Sequence, residues 1–211
     1  MSLVWEEAPL AKHHDRAGFD CGDADLNVYL QRYARQNHES GGAKCFIATP
    51  ADAPARVLGF YTLSPGSLEY GRTPALVKKG LARYDVPVFR LGRLAVDQKI
   101  QGRGLGGALL LRAAARCIRV ADEVGGVALL IDAKNDRVAQ WYAGYGALAL
   151  LDAPLSLVLP LTVAADALKR GGAATSYSHI HRPEKNRPIS GGSTTTARPT
   201  GQRRSATALP Q

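Results

Sequence analysis

"QGRGLGGALLLRAAAR" (residues 101–116) decides how the chain is read. Glycines crowd its first half. Leu109, Leu110, Ala113 and Ala114 in its second half, with Cys117 beyond it, repeat at helical spacing and predict a helix running to about Asp122. The run before it, "VPVFRLGRLAVD" (86–97), is rich in strand formers and predicts a strand with a bulge or kink at Gly92. A glycine turn between a strand and a helix is built to hold an anion. Small residues let the backbone approach, successive N–H groups face one concavity, and the helix dipole presents its positive end.

Three registers compete for that anion. A nucleoside-triphosphate loop needs G-x-x-x-x-G-K-[ST]. Gly102 and Gly107 have the spacing, but Ala108 and Leu109 follow, so lysine and hydroxyl are both missing. A dinucleotide turn would use Gly102, Gly104 and Gly107, with Asp132 ending the next strand. Against it, "DQKIQ" separates the strand from the turn, and too little chain follows for the further βα units that such a fold needs. The third register is Gln101, Gly104 and Gly106, or Q-x-x-G-x-G. In that register Gly107 has no phosphate to hold and serves close packing at the helix start. Bulky replacements of Gly104 or Gly106 are then expected to abolish ligand binding, and Gly107→Ala to be tolerated.

The rest of the chain reads outward from this loop. "FDCGDADLNVYLQRYARQ" (19–36) carries Asp23 as a candidate N-cap, followed by Leu26, Tyr29, Leu30 and Tyr33 at amphipathic helical spacing. Residues 44–49 and 55–64 read as a hairpin, 126–133 as a buried strand, 135–146 as a helix ending near Gly144 or Gly146, and 155–161 as a last strand. The pattern is a mixed α/β sheet flanked by helices. The folded domain is expected over 1–168, with 169–211 a basic tail rich in Gly, Ser, Thr and Pro that is too poor in apolar residues to order itself.

Composition narrows the partners. The net charge is +9, but from Gly171 onward six Lys/Arg stand against the single Glu184. That is +5 in the tail and +4 elsewhere, so the domain itself is only mildly basic. Three scattered cysteines, Cys21, Cys45 and Cys117, suggest neither a metal site nor a disulfide framework. No signal peptide or membrane span is expected, and the cytoplasm is the expected compartment. His13 and His14, as a bare pair, read as exposed rather than metal-ligating. Trp141 reads as core packing.

Two motifs together resemble the GNAT acyltransferases. Gln101–Gly106 is similar to their pyrophosphate loop. Asn135, Tyr142 and Gly146 fit the downstream pattern N-x-x-A-x-x-x-Y-x-x-x-G-F, with Val138 in place of the alanine and Ala147 in place of the phenylalanine. "RLGRLAVDQKIQGRGLGGALLLRAAAR" and "FDCGDADLNVYLQRYARQ" further resemble the TacT-like toxins of type II toxin–antitoxin systems, over about residues 8–162. The resemblance implies a GNAT fold with a central, mostly antiparallel sheet. It implies an acetyl-CoA-dependent N-acetyltransferase (EC 2.3.1 class) acting on the α-amine of aminoacyl-tRNA, which blocks translation. A ribbon-helix-helix antitoxin is the implied partner, with DNA reached only through the antitoxin complex; the membrane has no part, and a homodimer is compatible with it. Acetylation of a small amine or a protein lysine, and a DNA-bound corepressor role, are the competing readings.

The resemblance also assigns residues. Coenzyme A would contact Leu94, Ala95 and Val96 on the strand, Gln101, Gly102, Arg103, Gly104, Leu105 and Gly106 in the loop, and Asn135. Tyr142 would be the general acid toward the leaving thiolate. Arg93 reads either as a surface strand residue or as a contact to coenzyme A or RNA. Lys78 and Lys79 are the best candidate pair on an RNA-facing surface, among Lys12, Arg16, Arg32, Arg35 and Arg83. No general base is marked by spacing: Glu6, Glu7, Glu39, Glu69 and Glu123 are scattered. An α-amine, with a pKa of about 7.7–8.0, needs less help than a lysine at about 10.4.

Overall fold

The computed structural model describes residues 4–172. In chain order these form β1 (Trp5–Pro9), α1 (Ala24–Val28), a π turn (Tyr29–Tyr33), α2 (Ala34–Ser40), β2 (Lys44–Pro50), β3 (Gly59–Leu68) and α3 (Ala75–Lys78). Then come β4 (Val86–Val96), α4 (Leu105–Val124), β5 (Ala128–Asp132), α5 (Asp136–Ala143), β6 (Leu148–Ala149), β7 (Ser156–Pro160) and α6 (Leu161–Gly172). The seven strands make one sheet in the order β1-β2-β3-β4-β5-β7-β6. Every neighbouring pair is antiparallel except β4–β5.

The local causes are legible. Asp23 caps α1, its carboxylate accepting from the amides of Asp25 and Leu26. Asn135 caps α5 by accepting from Val138 N. The predicted hairpin is β2–β3. The expected irregularity at Gly92 is a bulge: Thr62 pairs with Arg93 and Leu63 with Leu91, so Gly92 is the extra residue.

Strand alternation sorts the side chains onto two faces. Phe89, Leu91, Leu94 and Val96 of β4 join Leu129, Ile131, Leu157 and Leu159 in a core under α4, where Leu109, Leu110, Ala113, Ala114 and Cys117 face the sheet. The opposite face holds two separate clusters. One lies under the α1–α2 arm around Phe19, Tyr29, Leu30, Phe60 and Ala95. The other gathers Leu68, Val77, Val86, Val88, Leu130 and Val158.

Several elements carry no clear sequence signal. β1, "WEEAP", does not alternate, and β6 is two residues long. α6 occupies a stretch expected to follow the last strand only briefly, and it runs past position 168 to Gly172. Its Leu161 and Ala164 pack in the same core as Ala147, the position where the resemblance leads one to expect phenylalanine. The expectation of a tail without order lies outside the described residues. His14 departs from its reading: it is buried, and its Nδ1 accepts from Ala11 N.

β1 is tied to α4 by a polar cluster inside an apolar layer. Glu7 accepts from the Tyr61 hydroxyl and pairs with Arg116 at 2.9 Å, while the Arg116 guanidinium stacks 3.7 Å over the Phe46 ring. The Glu7 side chain is only 10% exposed, so removing it strands a cation and a hydroxyl in poor solvent. Glu7→Ala is expected to cost about 3 kcal/mol of stability, read by urea denaturation. The glycine loop is remote from this cluster, so ligand affinity of the folded fraction should be unchanged.

Candidate active site

The glycine loop leaves the C-terminal end of β4, and α5 leaves the C-terminal end of the parallel neighbour β5. Ligands of α/β sheets bind outside such strand ends. Here the pair also splits. β5 is bonded to β4 only as far as Leu91, opposite Ile131, whereas β4 continues to Val96 against β3. Residues 92–96, with Leu94, Ala95 and Val96 among them, thus present a backbone edge with no strand beside it on the β5 side.

Past the end of β4 the loop is shaped by left-handed glycines. Gly102 has φ +76° and Gly104 φ +85°, a region where a Cβ is strained. Gly104 is the N-cap of the 20-residue helix α4 and supplies no capping side chain. The amides of Gly102, Arg103 and Gly104 donate to no backbone acceptor among the described residues, and the next amide to do so is Ala108 N, to Gly104 O at 3.1 Å. A long helix therefore opens on several unbonded amides beside residues with open space, which suits a pyrophosphate.

Gln101 has a different part from the glycines. Its Nε2 donates to Val96 O at 2.9 Å and to Cys21 O at 3.0 Å. The side chain braces the loop against the strand end and the N-terminal segment. Asp23, in that same segment, forms an ion pair with Lys134 in the β5–α5 connection. The segment thus ties to both walls of the split. Leu105 is buried in the core, so its backbone amide alone faces the loop, and Arg103 is exposed.

Tyr142 sits on α5, only 6% exposed, and burial pushes its pKa up to about 12. Its hydroxyl has no hydrogen-bond partner among the described residues. The sealed orphan atoms there are Arg16 Nε and Thr62 Oγ1, so the Tyr142 hydroxyl retains contact with solvent. Trp141 links it to the loop. The indole packs edge-on against Tyr142 and Tyr145, with centroids at 4.8 and 5.0 Å, and lies 3.6 Å from where a Cβ on Gly106 would stand. Trp141 is 38% exposed, so it walls the loop rather than filling the core as expected. Asn135 accepts with Oδ1 as a helix cap, leaving its amide nitrogen unbonded among the described residues.

The remaining candidates fall elsewhere. Arg93 stacks 3.6 Å over the Tyr29 ring on the face away from α4. Lys78 lies against Tyr70, over its ring and 3.3 Å from its carbonyl, and Lys79 follows it exposed at the end of α3. α3 leads into the N-terminal end of β4, so these lysines are not brought to the glycine loop. Among the described residues no group of three or more His, Cys, Asp or Glu is placed to hold a metal ion.

A mixed sheet split between parallel β4 and β5, with a bare helix N-terminus at the longer strand's end, defines an acyl-CoA transferase of the GNAT fold. No family model matches the chain. A tRNA-acetylating toxin of Mycobacterium tuberculosis is 39% identical over 145 residues, which cover 69% of this chain and 85% of that one. Two solved structures share the fold at 26% identity, each over 78% of this chain. AtaT complexed with acetyl-methionyl-tRNAfMet has a TM-score of 0.72 over 99% of its chain, and AtaTR bound with acetyl-CoA has 0.69 over 98%. The chain belongs to the TacT-like family of GNAT acetyltransferase toxins.

Gly107 corrects one expectation. A Cβ there would lie 2.1 Å from the Tyr145 hydroxyl and 3.0 Å from its ring carbon, so alanine is not harmless. Gly107→Ala is expected to cost about 1–3 kcal/mol in thermal or urea unfolding. The double variant Gly107→Ala/Tyr145→Phe should recover part of that loss. Gly104→Val should lose acetyl-CoA binding in calorimetry and should also lose stability, because Gly104 holds φ +85°, where a Cβ is strained.

Proposed function

We propose that this protein transfers the acetyl group of acetyl-CoA to the α-amine of aminoacyl-tRNA, acts as a translation-blocking toxin, and is held by a ribbon-helix-helix antitoxin. The observation that carries the reading is the split edge of β4 running into the unbonded amides ahead of α4, with the unpartnered Tyr142 on α5 packed against Trp141, which in turn lies against Gly106. Among the described residues no helix is long and apolar enough to cross a membrane.

The residues fit the co-substrate. The amides around Gly102–Gly106 would hold the pyrophosphate, and the free edge of Leu94, Ala95 and Val96 would hold the pantetheine arm and the thioester oxygen. Bound acetyl-CoA supplies a carbonyl for the amine to attack and a sulfur that leaves. Tyr142 donates the proton that sulfur needs. Its raised pKa, about 12, keeps it protonated throughout the working range, as an acid must be. No free base is called for by an α-amine already partly neutral at pH 7. The carboxylates with assigned partners are committed elsewhere: Glu7 to Arg116, Glu39 to Arg35, Asp132 to Arg90.

Labelled acetyl-CoA incubated with the protein and charged tRNA tests the acceptor. Label is expected on the aminoacyl group of the tRNA, and label found only on protein or small amines would replace the tRNA reading. Tyr142→Phe should lower kcat by about 100-fold with acetyl-CoA affinity unchanged. In the parent enzyme, ionisation of Tyr142 should not cut the rate below about pH 10. Wild-type turnover by the folded Phe variant would remove Tyr142 from the chemistry.

A further inference from the structure

The face of the sheet away from α4 carries a polar row that the cofactor reading does not use. It lies between the two apolar clusters of that face. In β4, Val86 and Val88 belong to one cluster and Ala95 to the other, with Arg90 and Arg93 between them. The bulge at Gly92 makes those two arginines successive residues on this face. The same register adds Thr62 on β3, Asp132 on β5 and Ser156 on β7. The row thus crosses four strands at the level where β4 and β5 part.

Its charges are unevenly matched. Arg90 pairs with Asp132 at 2.6 Å, and the Ser156 hydroxyl donates to the same carboxylate at 2.7 Å. Arg93 has no carboxylate partner among the described residues. Among the described residues its guanidinium meets the Tyr29 ring, which covers one flat side of it. Tyr29 opens the π turn, a distortion often kept at functional sites. A stacked guanidinium still points its N–H donors outward in its own plane. Arg116 is the contrast: it is also stacked on a ring, yet it donates to Glu7 and Tyr61. Next to Arg93, the hydroxyl of Thr62 is sealed and unpartnered, 3.0 Å from where a Cβ of Gly92 would stand. A buried unsatisfied hydroxyl and a cation without an anion therefore adjoin at one point of the row.

We propose that this row is the acceptor side of the active site and that Arg93 binds the last phosphodiester of the RNA 3′ end, directing the aminoacyl ester into the split between β4 and β5. The proposal rests on the tRNA reading above. One uncompensated charge calls for one anionic group, and a planar fork suits a phosphodiester. The amine then approaches from this face, while the cofactor's phosphates lie at the start of α4 on the other.

The test compares acceptors carrying the same amino acid: charged tRNA, the aminoacyl dinucleotide cytidylyl-adenosine, and aminoacyl-adenosine, which lacks the phosphodiester. Arg93→Gln is expected to lower kcat/KM about 10- to 100-fold for the first two and to leave the third and the acetyl-CoA KM unchanged. Arg93→Lys should fall between. For charged tRNA, the slope of log kcat/KM against log salt should flatten by about 0.7, the loss of one single-strand contact. Equal losses on all three acceptors, or an unchanged salt slope, would overturn the proposal. Failure of the wild-type protein to acetylate charged tRNA would instead sink the function itself.

Discussion

The whole site depends on one interrupted strand pair. Among the described residues β4 and β5 are the only parallel neighbours, and their ladder stops at Leu91 while β4 runs on to Val96. Peptide groups in a folded interior must find partners, so a strand edge left open there is a place for a ligand's own amides and carbonyls. The bulge at Gly92 helps to produce the opening, because an extra residue increases local twist and turns the strand away from its neighbour. Without that split, the helix N-terminus ahead of α4 would still hold an anion, but nothing would lead from the anion to a reacting carbonyl.

An opening of this kind has to be held at a fixed width, and the chain does so with polar braces. Gln101 joins the loop to the end of β4 and to Cys21, and Asp23 joins the same N-terminal segment to Lys134 beyond β5. Asp23 also caps α1. The N-terminal arm is thereby folded by the same residues that tie it across the split. This gives a physical reason for an N-terminal motif and a loop motif, 80 positions apart for Cys21 and Gln101, to occur in one sequence.

Most of this was legible in the residues, for reasons that differ from place to place. The loop and α4 were plain because glycine tolerance and helical periodicity are local signals, and the Gly92 bulge because glycine inside a strand is rarely idle. β1 and α6 were obscure. β1 is an edge strand whose Glu7 points into a core, so the alternation that marks strands is inverted by an ion pair with a residue of α4. Trp141 and Gly107 could not be placed from spacing, since both depend on how α5 sits against α4, a contact between segments far apart in sequence. Arg90, Asp132 and Ser156 escaped notice for a related reason: they meet only through strand register.

The two roles proposed for Tyr142 and Arg93 would use solvent exclusion in opposite ways. In the proposed role, an acid that gives a proton to a leaving sulfur must not ionise beforehand, and the burial that raises the Tyr142 pKa would keep it protonated without a charged neighbour. An acceptor carrying phosphates must be drawn in, which requires a charge that the protein has not already neutralised. Arg93 keeps such a charge because its neighbour is a tyrosine ring, which holds the guanidinium in place without cancelling it. Replacing Tyr29 by a carboxylate would hold Arg93 at least as firmly yet satisfy its donors. In the proposed role, an aromatic partner therefore suits this position better than an ionic one. The carboxylate on the same face, Asp132, is bound by Arg90 and Ser156, which leaves Arg93 without a carboxylate partner for the phosphate proposed above.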